Sequence, residues 1–115
     1  MAQHAIDLAT FEELQQTAGA EFVRELVDTF LAEAPLMLAS LDRALAARDG
    51  GEFRRAAHSL KSNSNTFGAL ALGALARDLE LSGIDPVLAD NGKSLEALQH
   101  EYTRVATALT ELRHA

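Results

Sequence analysis

The chain carries 115 residues, of which 48% are hydrophobic and only 5% aromatic, with no cysteine and a formal net charge of -7. That length suits one domain, taken as residues 1–115, and leaves no room for a nucleotide-binding kinase domain beside a second unit. The composition excludes disorder, a disulfide framework and a thiolate metal site, and the acidic balance excludes a general nucleic-acid binder, which needs a basic surface.

Ala and Leu dominate the hydrophobic fraction, which favours helix over strand. No apolar run approaches the ~20 residues needed to cross a bilayer. The N-terminus lacks the basic-then-apolar pattern of a signal peptide, so a cytoplasmic location without membrane contact is expected.

The first element is a short helix opened at Thr10-Phe11-Glu12-Glu13. Thr10 is expected as its N-cap with Glu13 reaching back, and the helix ends near Ala18-Gly19. A second segment runs from about Ala20 to Arg48. Its apolar stripe is Phe22, Leu26 and Phe30 with Val23, Val27 and Leu31, resuming at Leu38, Leu41 and Leu45. Pro35 lacks a backbone donor and is expected to kink or interrupt it near Leu31. Asp49-Gly50-Gly51 reads as a stop.

A third segment, about Glu52 to Phe67, turns Phe53, Ala56, Ala57, Leu60, Ser64 and Phe67 to one side. Arg54, Arg55, His58, Lys61, Ser62 and Asn65 fall on the other side or at its border. Gly68 marks its end. A fourth, about Ala69 to Leu81, places Leu72, Leu75 and Leu79 inward. Ser82-Gly83-Ile84-Asp85-Pro86 and Asp90-Asn91-Gly92 read as turns, with Ser94 a possible cap. The last helix, about Lys93 to Arg113, repeats Leu95, Leu98, Tyr102, Val105, Leu109 and Leu112. Helices with one apolar stripe and short connections bury those stripes by antiparallel packing. The expected fold is an all-α antiparallel four-helix bundle with a short additional N-terminal helix.

The chemistry concentrates around His58. Residues at i, i+3, i+4 and i+7 share a helix face, and they are His58, Lys61, Ser62 and Asn65. An imidazole with a free nitrogen is a nucleophile near neutral pH. Lys61 would attract phosphoryl oxygens and offset their charge during transfer, and small Ser62 leaves room for another protein's active site. The second ring nitrogen needs an acceptor from a neighbouring helix, and Glu80 is the candidate. From Phe53 through Arg77 the chain has no Asp or Glu, while Arg54, Arg55, Lys61 and Arg77 supply positive charge.

A lone helical histidine is most often an incidental surface residue; the context decides otherwise. His58-Ser59-Leu60-Lys61-Ser62, with Gly68 ten residues after the histidine, resembles the histidine-containing phosphotransfer (HPt) family of His–Asp phosphorelays. That family's motif reads approximately His-x-Leu-Lys-(Gly/Ser) followed by such a glycine. Ala56-Ala57 before the histidine, Ala69, Leu72, Leu75, Leu79 and Glu80 after the glycine, and the Phe22-to-Leu45 pattern extend the resemblance over most of the chain.

The resemblance implies a phosphorelay intermediate. His58 would take a phosphoryl group from a receiver-domain aspartate of a hybrid sensor histidine kinase and pass it to the receiver of a response regulator. Lys61 would stabilise the phosphoryl charge, and Glu80 would orient the imidazole. Such a domain carries a phosphoryl group without being an enzyme in its own right. It needs no cofactor; the Mg²⁺ belongs to the partner receiver. A monomer is expected, docking through Arg54, Arg55, Lys61, Ser62 and Asn65, with Phe67 or its neighbours as apolar contact. The basic patch would speed encounter with an acidic receiver, an aid weakened by salt.

Two alternatives stand beside this one: a phospho-accepting domain fed directly by an ATP-bound histidine kinase, and a receiver-binding helical module that is never phosphorylated. A metal-binding bundle is disfavoured, because such sites need inward carboxylates and Glu-x-x-His ligands. His4, His100 and His114 lack close ligand spacing and read as incidental.

Overall fold

The computed structural model describes residues 5–113, and among them every regular element is helical: α1 (Leu8–Ala18), α2 (Ala20–Ala47), α3 (Gly50–Thr66), α4 (Leu70–Ser82), α5 (Asp85–Ala89) and α6 (Lys93–Arg113). The long helices α2, α3, α4 and α6 form the bundle. α3 packs between α2 and α4, and α6 closes the other side against α2 and α4. Each contributes one stripe to a shared core, including Val23, Val27, Phe30 and Leu41 from α2, Phe53 and Leu60 from α3, Leu72 and Leu79 from α4, and Leu98, Val105 and Leu109 from α6. The Phe30 ring lies 5.5 Å from that of Phe67 and 6.1 Å from that of Tyr102, within the range of favourable tilted aromatic pairs.

Several local expectations shift by a few residues. The N-cap of α1 is Asp7, not Thr10: the Thr10 N–H donates to Asp7 Oδ2 at 3.2 Å, and the Thr10 hydroxyl donates to the same oxygen at 2.5 Å. A carboxylate is as good a cap as a hydroxyl and also complements the helix dipole. The stop after α2 is made by Arg48, which takes the left-handed conformation at φ 55°. Gly50 and Gly51 instead form the first turn of α3, behind Asp49, whose Oδ1 accepts from the Glu52 N–H at 3.1 Å. Asp85-Pro86 opens the short helix α5 in place of a plain turn, where proline near a helix start loses no needed hydrogen bond. Phe22, expected in the stripe, is 52% exposed, and Val23 fills the core in its place.

Pro35 does not interrupt α2, which continues as one helix of 28 residues. Apolar residues are buried on both sides of it, Phe30 and Ala34 before and Leu41 and Ala44 after. Tertiary burial therefore carries the helix across the missing N–H, a defect that costs about 3 kcal/mol in an isolated helix interior. Pro35 itself is exposed. Pro35→Ala is accordingly expected to stabilise the fold by about 1–3 kcal/mol, read as a higher urea midpoint at unchanged slope. An unchanged or lower midpoint would show that the proline is accommodated without cost.

Candidate functional site

The α3–α4 pair builds the site. Ala57 and Leu60 are fully buried on α3, which fixes the helix rotation and leaves the intervening His58 and Ser59 outside. The two helices run antiparallel: Asn65 near the end of α3 lies over Gly73 near the start of α4, and Arg54 near the start of α3 lies over Gly83 beyond the end of α4. Gly73 permits that closeness, since a Cβ there would collide with the Asn65 side-chain amide. The same register brings Glu80 opposite His58.

The His58 side chain is 57% exposed, and its Nδ1 is 2.8 Å from Glu80 Oε2. The other carboxylate oxygen, Oε1, is 2.8 Å from Lys61 Nζ. Lys61 first, and then His58, hydrogen-bond to the Glu80 carboxyl and hold it below its ordinary value. Glu80 is therefore an anion at neutral pH and can only accept. Nδ1 must carry the proton of that bond, which leaves the lone pair of a neutral ring on Nε2. Nε2 has no hydrogen-bond partner among the described residues. A half-exposed nucleophilic nitrogen, fixed in tautomer from behind, is the result. The pairing persists above the ordinary carboxylate range and is lost only as pH falls through the depressed value of Glu80.

The remaining candidates are distributed around this centre. Arg54, Arg55, Ser62 and Asn65 all lie on the outer side of α3, and all four are exposed. The positive charge is more balanced than the sequence window suggests. Arg55 Nη2 pairs with Glu52 Oε1 at 2.9 Å and Lys61 with Glu80, so acids just outside the window neutralise part of it. Phe67 supplies no apolar contact to a partner: it is 3% exposed and packs inside. Exposed apolar surface near the site includes part of α2. Leu36, 66% exposed, and Met37 line a groove of about 370 Å³ with Glu33, Ser40, Arg55 and Ser59. Sequence reasoning missed these two, although Leu36 falling off the Leu38–Leu41–Leu45 stripe is a signal that it points elsewhere.

His100 is exposed on α6, while His4 and His114 lie outside the described residues. Among the described residues no cluster of three or more His, Asp or Glu side chains could hold a metal ion, and no helix is long and apolar enough to cross a membrane.

The sequence model of the family described as "Hpt domain" matches residues 25–114. Among solved structures, the chain is similar to histidine-containing phosphotransfer protein B (HptB) from Pseudomonas aeruginosa PAO1. The identity is 30%, the TM-score 0.87, and the match covers 99% of this chain and 97% of the other. No curated protein matches the chain at the significance required.

Proposed function

The chain belongs to the Hpt domain family, and on that footing we propose that it is a phosphorelay carrier whose phosphoryl group is borne on His58 Nε2. The observation that supports this most directly is the pairing of Nδ1 with an ionised Glu80, which leaves Nε2 as the reactive nitrogen on the open side of the bundle.

The transfer balances without release of a proton. The Nε2 lone pair attacks the phosphorus of a receiver's aspartyl phosphate, and the P–O bond breaks with its electron pair returning to the aspartate carboxylate. The ring becomes a phosphorylated cation that keeps its Nδ1 proton, facing the Glu80 carboxylate. In the onward step a second receiver's aspartate oxygen attacks phosphorus, the P–N bond breaks, and its electrons return to Nε2. Glu80 orients the ring throughout, and Lys61 offsets phosphoryl charge. The donor is the receiver of a hybrid sensor histidine kinase and the acceptor that of a response regulator. Each brings its own Mg²⁺, so this chain needs no cofactor and turns nothing over alone. The receivers dock as acidic pockets over His58, on Arg54, Arg55, Ser62 and Asn65, with Leu36 and Met37 as the apolar margin. The carrier acts as a cytoplasmic monomer.

Incubation with a phosphorylated receiver domain tests the reading by intact mass and acid lability. A gain of one acid-labile phosphoryl group supports it. No gain from several receivers, with gain from a histidine kinase and ATP, would move the chain to the kinase-fed class; no gain from either would leave a binding module. Lys61→Ala is expected to slow transfer by roughly 10-fold, the order of one lost charge-assisted contact, with the fold intact. Unchanged rates in rapid-quench transfer assays would remove Lys61 from the site.

A further inference from the structure

Resting on the phosphotransfer reading above, we infer that Glu80 competes with the phosphoryl group for Lys61 and thereby limits how strongly the phosphorylated histidine is held. The geometry is a closed three-member set. One carboxylate on α4 faces two residues one turn apart on α3, with Oε2 taken by the His58 ring and Oε1 by the Lys61 ammonium, each at 2.8 Å. Lys61 is only 25% exposed and Glu80 23%, so neither partner is freely solvated and the pair is less screened than a surface ion pair.

A phosphoryl group arriving on Nε2 adds a dianion to a site that already holds one anion and one cation. Lys61 then either leaves Glu80 or is shared between two acceptors. In both cases the phosphorylated state gains only the difference between the new contact and the one given up. The lysine is thus partly committed before the group arrives. A carrier must release what it accepts, and a resident competing anion keeps the bound group transferable.

Glu80 has a second effect of opposite sign: its charge favours the ring cation formed on phosphorylation. Glu80→Gln alone mixes the two. The amide oxygen of the variant still accepts from Nδ1–H, which keeps the ring oriented while withdrawing the charge that holds Lys61. The competition is isolated by asking what Lys61 is worth with and without that charge, which a double-mutant cycle measures.

The experiment determines the equilibrium constant for transfer between a phosphorylated receiver and His58 in wild type, Lys61→Met, Glu80→Gln and the double variant, with helicity checked by circular dichroism. Removing Lys61 is expected to lower the constant by at least about threefold more in the Glu80→Gln background than in the wild-type background, within the range of coupling for contacting charges. Equal losses would mean that Lys61 and Glu80 act independently and would overturn the inference. A smaller loss in the Glu80→Gln background would overturn it too, since Lys61 would then act by positioning Glu80. A wild-type chain that takes no phosphoryl group from any receiver would instead bring down the receiver-fed relay reading on which the inference stands. A purely structural role for Glu80 would shift both backgrounds alike.

Discussion

His58→Gln is expected to accept no phosphoryl group while folding like the parent. The amide of glutamine offers no nucleophilic nitrogen, so the loss should be complete rather than graded. The fold should persist because the His58 side chain is more than half exposed, and the buried neighbours Ala57 and Leu60 are untouched. Its bond to Glu80 is solvent-screened, so its loss should leave stability nearly unchanged. Intact mass after incubation with a phosphorylated receiver, beside a urea melt of both proteins, checks the two halves together. An acid-labile phosphoryl group on the variant would place the carrier residue elsewhere and sink the assignment.

Gly68→Ala should cost far more stability than the same methyl added at Gly92. Gly68 sits at φ +84° in the α3–α4 corner, where an L side chain costs about 1–2 kcal/mol. A Cβ there would also come within 2.8 Å of the Asp7 carbonyl oxygen and 2.9 Å of Thr10 Cβ. These atoms cannot simply swing aside. Asp7 caps α1, and its N–H donates to the Gly68 carbonyl at 2.8 Å. Relieving the clash means lifting the start of α1 off the corner, and strain and overpacking together should cost about 2–5 kcal/mol. Gly92→Ala is the control: its φ is +81°, but nothing lies within 4 Å of the added carbon, so only the conformational part should appear. Equal losses in the two melts would refute the account of the crowded corner.

Gly68 was legible in the sequence as a helix end, because glycine after a periodic segment marks one. That the distant Asp7 packs against it was not, since no local pattern encodes which chain segment crosses a corner. Likewise the periodicity of α3 separated His58 and Lys61 from Phe53, Ala57 and Leu60, and the structure keeps that division. Phe67 was ambiguous at the border of the stripe, and the Phe30 ring drew it inward. Pro35 misled in the opposite direction: intrinsic propensity argued for a break, and burial along 28 residues overrode it.

The amino-acid sequence by itself determined the five longer helices, most of their inward stripes, the family and the face that carries His58 and Lys61. All of these follow from periodicities of a few residues and from motif spacing along one helix. Only the tertiary structure decided the rest. The antiparallel register of α3 on α4 put both oxygens of Glu80 to use, laid Arg54 over Gly83 and Asn65 over Gly73, and opened the Leu36–Met37 groove beside the site. A register between helices is set by how buried side chains interlock across the interface, a property of two surfaces together that neither helix states alone.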